Sequence, residues 1–458
     1  MQTLPGGESG PPRDRADRPV LGRVLCVTSN FPRWAGDSTT PFVLHLCRDL
    51  VELGWQVDVL APHAPGAAEQ EWLDDVRVER FHYAWPESAQ TVCYQGGALV
   101  NLRKRPLEKL KLPALVFAEW AAVQSRLLQG EYDLVHSHWI LPQGFVGSVA
   151  GRLANVPHVV TVHGGDLFAL RGALLSKLKR WTLEAADAVT VNSSFTEGRV
   201  RELSPGAALV ERIPMGVNDR VLSPAERQAA AQLREEHAQA EGPLLIFVGR
   251  LVDEKGPADA IDALELLRGD LPGAKLWIVG SGQDEEALRV RCEARGLSEC
   301  VRFVGWVAPE SIRTYLHAAD VFLGPSRTAV DGWVEAQGLT FLEAMAAEVP
   351  VVATRSGGIV DAVVHEESGL LVDENSPAQL ADAVRRLVKE PGLAERVVRG
   401  GLARLGEGFS RTASAARFSE LFERVIRERR DPTSTGRGRR EPPGSSRPTA
   451  QRPTAQRQ

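Results

Sequence analysis

The sequence predicts a two-domain α/β protein with a parallel sheet in each half, and three observations predict it. The 458 residues exceed what a single hydrophobic core usually serves. Near the start, VLCVTSN (Val24 to Asn30), a helical repeat at Phe42, Val43, Leu46 and Leu50, and VDVLAP (Val57 to Pro62) run in the order strand, helix, strand. The same order restarts at LLIFVGRLVDEKG, where Leu244 to Val248 reads as a buried strand. Sheets of this kind gather ligand contacts on the loops that follow strand C-termini.

Composition narrows the function classes. The chain is 43% hydrophobic and 25% charged, as ordinary globular proteins are. A net charge of -5 gives no case for a nucleic-acid partner. Cys26, Cys47, Cys93, Cys292 and Cys300 form no CxxC pair, which suits reduced thiols and a cytoplasmic location. No apolar run reaches the roughly 20 residues of a spanning helix, and the N-terminus lacks the apolar core of a signal peptide, so a chain neither exported nor integral is expected. Residues 1–19 read as a disordered leader and 430–458 as a disordered, basic tail.

In chain order, the first loop, FPRWAGDSTTPF, carries Gly36 and Asp37. Residues 95–112 gather Arg103, Lys104, Arg105, Lys109 and Lys111 among leucines, either as a solvated face or as a patch for anionic lipid. Pro106 argues against one uninterrupted helix there. Tyr132 to Trp139 is a strand placing His136 and His138 on one face, a pair that could ligate metal, with no third ligand close in sequence. The strand Val159 to Val162 then delivers His163 and Asp166 onto a glycine-rich loop. Arg171, Lys177, Lys179 and Arg180 form a second, weaker basic cluster before the strand AVTVNSS.

The polar stretch 222–242 predicts a helix, after which Gly249, Arg250 and Lys255 follow a buried strand. Two cations on one such loop suit a diphosphate leaving group. LWIVGSG (Leu276 to Gly282) lacks the third glycine of a dinucleotide fingerprint and runs into acidic residues, which weakens a dehydrogenase reading. Further strands are expected at Val301 to Val307, Ala319 to Ser326, PVVATRSGGI and SGLLVD, and closing helices at Pro377 to Lys389 and Thr412 to Arg429.

Between them lies DGWVEAQGLTFLEAMAAEVPVVATRSGGI, Asp331 to Ile359, with Glu335 and Glu343 eight positions apart. Thr340 opens an apolar helical run, and Gly338 ahead of it lets backbone approach a ligand. The amides of such a helix tip could hold a diphosphate, and the flanking carboxylates could accept hydrogen bonds from sugar hydroxyls. Alternatively, Thr340-x-x-Glu343 is only a capping box.

The Glu335-x7-Glu343 spacing resembles the signature of retaining glycosyltransferase family 4, bacterial members of which make polysaccharides and glycolipids. Thr161-x-His163-Gly164-x-Asp166 resembles that family's donor-side loop, and Gly249-Arg250-x(4)-Lys255-Gly256 its diphosphate-binding loop. The likeness runs from about Val20 to Glu428. It implies the GT-B architecture, two Rossmann-like domains facing each other across a cleft. Residues 20–213 would form the acceptor domain, completed by a helix at about 410–429, and 214–409 the nucleotide-sugar domain, with IPMGV (Ile213 to Val217) as hinge.

The resemblance also implies roles. Glu343 would bind the nucleotide ribose, Glu335 would lie beside the donor sugar, and His163 would contact the transferred sugar. Asp166 would be an acceptor-side or orienting carboxylate. Arg250, Lys255 and the Gly338, Leu339 and Thr340 backbone would hold the diphosphate, and Gly36 would face donor phosphates or acceptor. The implied reaction is retaining hexosyl transfer from a nucleotide-diphosphate sugar to an acceptor glycan or lipid-linked sugar, without metal or other cofactor, with peripheral membrane contact as an option. A sugar-nucleotide epimerase, a phosphorylase and a non-catalytic sugar-nucleotide-binding subunit are the alternatives. Two departures from the family pattern stand out. Glu348 and Val349 occupy the place of a glycine before Pro350, and Ala336 follows Glu335 where many relatives have glycine.

Overall fold

Among the described residues, fourteen short strands, most of them apolar and β-branched, divide into two sheets. The computed structural model describes residues 20–37, 39–94, 97–237 and 242–431. The leader expected at 1–19 lies outside them, as does the expected tail beyond Asp431; Arg430 still belongs to the final helix.

The first sheet holds β1 (Gly22–Val27), β2 (Trp55–Pro62), β3 (Gln70–Leu73), β4 (Val76–Phe81), β5 (Leu134–His138), β6 (His158–Val162), β7 (Ala188–Val191) and β8 (Val210–Arg212). Its spatial order is β3-β4-β2-β1-β5-β6-β7-β8, parallel throughout except for the β3-β4 hairpin. The second sheet holds β9 (Leu244–Val248), β10 (Lys275–Val279), β11 (Val301–Gly305), β12 (Val321–Gly324), β13 (Val351–Thr354) and β14 (Leu370–Val372) in the all-parallel order β11-β10-β9-β12-β13-β14. Every residue of β6 and of β13 is buried, which is why these strands read as continuous apolar runs without alternation. Chain order reverses between β1 and β5 in one sheet and between β9 and β12 in the other, and the loops leaving those strands build the site.

The helix Arg411–Arg430 returns to the first sheet. Its Ala415, Phe418, Leu421, Phe422, Val425 and Ile426 share one core with β1, β2 and the helix Pro41–Glu52. The Trp55 indole donates to Ser419 Oγ at 2.9 Å and meets the Phe422 ring edge-on. The chain therefore crosses between sheets twice, and the two crossings are paired: Val217 N donates to Phe409 O at 3.0 Å and Arg411 N to Val217 O at 2.9 Å. A β-carbon on Gly216 would lie 2.2 Å from Ser410 O, so only glycine lets the two crossings lie this close.

Pro106 does split the basic stretch, into a helix Ala98–Lys104, a 3-10 turn Pro106–Lys111 and a helix Leu112–Leu128. The helix Leu393–Arg404 goes beyond the sequence expectations; only Leu393, Val397 and Gly401 of it are buried, four apart, a faint periodic signal. At the departure before Pro350, Glu348 takes the left-handed conformation (φ 62°) that glycine favours. Its carboxylate is held there by both Arg227 guanidinium nitrogens, at 2.6 and 3.0 Å.

Candidate active site

Strand ends from both sheets converge on one cleft. From the second sheet, the loop after β9 carries Arg250 and a 3-10 turn Asp253–Lys255, closed by Gly256 at φ 69°. There the Lys255 ammonium meets Glu335 in an ion pair and stands 5.4 Å from the Trp333 ring centroid. Arg250 is exposed and only loosely paired, 3.5 Å from Glu254. The two predicted cations thus differ: one is held against a carboxylate, the other projects into the cleft.

The helix after Glu335 begins one residue earlier than expected, Leu339–Ala346. Gly338 is its N-cap at φ 79°, with no side-chain cap bond, so the capping-box alternative is not realised. The Phe341 ring packs where a Gly338 β-carbon would sit, at 2.5 Å, so only glycine fits as this N-cap. Among the described residues the Glu343 carboxylate has no hydrogen-bond or ion-pair partner, and burial pushes its pKa up. A desolvated carboxylate without a partner is costly, so this one is poised for a donor. Leu339 packs against both cores, at the seam between the sheets.

From the first sheet, β6 delivers His163. Its Nε2 lies 2.9 Å from His138 Nδ1, the two rings stack at 5.1 Å, and Phe42 and Trp139 flank it. Desolvation holds His163 neutral, its pKa down to about 3, so it can exchange hydrogen bonds at the cleft without carrying charge. Asp166, in the short helix Gly165–Phe168, accepts from the Ile140 amide at 3.0 Å through Oδ2, while its buried Oδ1 has no partner. Burial raises the Asp166 pKa.

The two halves touch here. A β-carbon built on Gly164 (φ 95°) would lie 2.2 Å from the Ala336 β-carbon, so the histidine loop rests directly on the residue after Glu335. Gly357 abuts the Glu335 carbonyl, and Gly358 N donates to it at 2.8 Å. Asp331 closes one side, taking an ion pair from Arg103 at 3.1 Å and a hydrogen bond from Arg171 on its carbonyl.

Gly36 is not joined to this group by any described contact; it sits at φ 82° on an exposed turn with nothing within 4 Å of its missing β-carbon. That turn is braced by the Arg33–Asp37 pair at 2.8 Å, with the Arg33 guanidinium over Trp34. The second basic cluster needs correction, because Lys179 is buried and donates to Leu167 O and Ala169 O. It clamps the segment after Asp166, which no charge count could reveal.

Two further features escaped sequence reasoning. Gln337 grips the hinge with both ends of its amide, accepting from Met215 N at 2.9 Å and donating to Met215 O at 2.6 Å. Cys26, the register partner of His136 in the sheet, supplies the third potential ligand missing near His136 and His138; one ligand atom from each lies within 4.8 Å of the others. One nitrogen of each ring is already engaged, to Thr161 and His163, and Phe418 and Phe422 pack on His136. The trio therefore sits under the return helix, behind the cleft.

Beside Asp166 opens a hollow of about 1020 Å³ in the first domain, walled by the helices Leu112–Leu128 and Ala173–Ala185 and the segment 139–149. Arg250 reaches its mouth from the second domain. Gln143, in that wall, donates to buried Glu119 at 3.3 Å; Glu119 Oε1 and Gln143 Oε1 both lack partners, and a proton on Glu119 supplies the missing donor. Burial accordingly pushes the Glu119 pKa up to about 8. A carboxyl raised from 4.5 gives stability that is full below pH 4.5 and lost as pH climbs through about 8. Thermal melts should fall across that window by up to about 1.4 kcal/mol of stability per pH unit, and Glu119→Gln should flatten the dependence. Equal slopes in the two proteins would show Glu119 ionised throughout.

Comparison with known proteins agrees with this geometry. Residues 40–221 match the family described as Glycosyltransferase Family 4, and 230–403 that described as Glycosyl transferases group 1. A GDP-mannose-dependent alpha-(1-6)-phosphatidylinositol monomannoside mannosyltransferase of Mycobacterium tuberculosis is 35% identical over 375 residues, 80% of this chain and 89% of that protein. A D-inositol 3-phosphate glycosyltransferase of Acidothermus cellulolyticus is 34% identical over 322 residues, 65% and 69% of the two chains. In fold the chain is similar to Anabaena Alr3699/HepE solved with UDP, at TM-score 0.68 and 19% identity over 88% of this chain and all of that one. It is equally similar to sucrose-phosphate synthase from Thermosynechococcus elongatus, at TM-score 0.68 and 24% identity over 88% and 99%. With two parallel-sheet domains of the GT-B fold and a relative 35% identical over 80% of the chain, the protein belongs to glycosyltransferase family 4 and is a glycosyltransferase.

Proposed function

We propose that the enzyme transfers a hexosyl unit from a nucleotide-diphosphate sugar to an acceptor hydroxyl with retention of anomeric configuration and without a metal ion, in the synthesis of a glycan or glycolipid. The observation that carries this reading is the arrangement around the helix tip at Gly338 to Thr340. Lys255 and Arg250 lie on one side, unpartnered Glu343 on the helix itself, and neutral His163 across the cleft.

Glu343 accepts hydrogen bonds from the ribose, and the Leu339 and Thr340 amides with Arg250 and Lys255 receive the diphosphate. Lys255 exchanges Glu335 for phosphate, which frees the Glu335 carboxylate for a hydroxyl of the donor sugar. As the bond from anomeric carbon to phosphate oxygen breaks, negative charge grows on the phosphate, where these fixed cations and amides stabilise it. The acceptor oxygen attacks the same face, forming the new glycosidic bond, and its proton passes to the leaving phosphate. His163 touches the transferred sugar as a neutral hydrogen-bonding group. No carboxylate pair placed to form and hydrolyse a glycosyl-enzyme is needed for this route.

A likeness to a phosphatidylinositol monomannoside mannosyltransferase supports a lipid-linked sugar as acceptor, and the enzyme is then a cytoplasmic protein working at the membrane's inner face. No helix among the described residues is long and apolar enough to cross a membrane. The test uses a panel of UDP, GDP and ADP sugars with membrane lipid extract as acceptor. The product linkage, read by proton NMR, should keep the donor's anomeric configuration, and EDTA should leave turnover unchanged. An inverted product, or turnover lost to EDTA and restored by Mg2+, would overturn the proposal.

A further inference from the structure

The hollow beside Asp166 is far more apolar than a sugar site requires. Trp120, Val116, Leu175, Leu178, Phe145 and Val149 wall it, and its volume of about 1020 Å³ is at the top of the range for small-ligand pockets. Phe117 in its lining is strongly exposed, at 66%, and Leu107 and Leu110, on either side of Lys109 in the sequence, are exposed at 78% each. Lys109 also lines the hollow and, among the described residues, makes no ion pair. On its cleft side stand Asp166, whose Oδ1 has no partner, and Arg250.

We propose that the hollow seats the hydrocarbon chain of an anionic lipid acceptor, its polar end turned to the cleft with the reacting hydroxyl at Asp166 Oδ1 and with Lys109 as the cation of the lining. This rests on the transfer reaction proposed above and adds the place of the acceptor's chain. The polarity runs the right way for such a molecule. Aromatic and aliphatic side chains line the hollow, exposed Phe117 among them, and Asp166 Oδ1 and Arg250 stand on its cleft side, so the chain of a lipid fits the walls and its polar end the cleft. A glycan acceptor would leave the aromatic and aliphatic walls wet and its own hydroxyls without partners.

Calorimetric titration of the full chain with inorganic phosphate and with hexyl, octyl and decyl phosphate tests this. Affinity should rise with chain length, by about fourfold per added CH2 where the chain is fully buried (0.8 kcal/mol), with a negative heat-capacity change. Leu178→Trp and Val116→Trp, which fill the hollow from opposite walls, should each weaken decyl phosphate at least tenfold and leave nucleoside-diphosphate affinity unchanged. In the transfer assay, decyl phosphate should raise the KM for the lipid acceptor and not that for the donor. Affinity independent of chain length, or decyl phosphate binding that both filling variants leave intact, would overturn the assignment. Donor-side failure reads differently: a Lys255→Ala protein that keeps its nucleoside-diphosphate affinity would sink the reaction proposed above while the chain-length dependence stood.

Discussion

Lys255→Ala should lower kcat by about 10²–10³-fold and weaken nucleoside-diphosphate binding, whereas Glu335→Gln should lower kcat yet tighten nucleoside-diphosphate binding. The opposite signs follow from the pair they form. In the unliganded site Lys255 is already neutralised by Glu335, so the diphosphate has to compete with a carboxylate for the ammonium. Removing the cation removes the attraction; removing only the competing charge leaves the cation free for phosphate. The cost of Glu335→Gln falls instead on the sugar, which loses a charged hydrogen-bond acceptor. Calorimetry with UDP and GDP on both variants, beside steady-state rates, checks this. Weaker nucleotide binding in Glu335→Gln would mean that the carboxylate positions Lys255 and does not compete for it.

The second large effect is expected at the contact between the halves. Gly164→Ala should reduce kcat/KM by about two orders of magnitude, because the added methyl lies 2.2 Å from the Ala336 β-carbon and the backbone is at φ 95°. The His163 loop would be pushed off the Glu335 loop by an amount sufficient to misplace the sugar. Ala336→Gly removes the opposing methyl, so the double variant should recover part of the loss. It should not recover all of it, since the strained backbone angle remains. The coupling from a double-mutant cycle should be favourable and large. Additive losses would show that the two loops do not meet during turnover.

This contact also shows where sequence reading stops. Val159 to Val162 announces a buried strand by composition, and the Glu335 to Glu343 spacing marks its own loop. Both signals are local. The partners are not: Lys255 and Glu335 are 80 positions apart, and Met215 and Gln337 are 122 apart. Cys26 joins His136 and His138 only because β1 lies beside β5. Lys179 looks like one more surface cation until the helix phase turns it inward. The helix starts at Leu339, one residue before Thr340, because its N-cap is Gly338, which carries no side-chain capping signal to read. The hollow is invisible for the same reason, its walls coming from several separate segments whose apolar residues each look like ordinary core.

The return of Arg411–Arg430 to the first core has a consequence for biosynthesis. The domain built on the second sheet is one contiguous stretch and can finish folding while the ribosome is still extending the chain. The domain built on the first sheet cannot: until its last helix is released, Trp55 and its neighbours face water. A nascent polypeptide stalled just short of residue 411 would therefore carry one mature lobe and one with an open greasy flank, a natural target for chaperones.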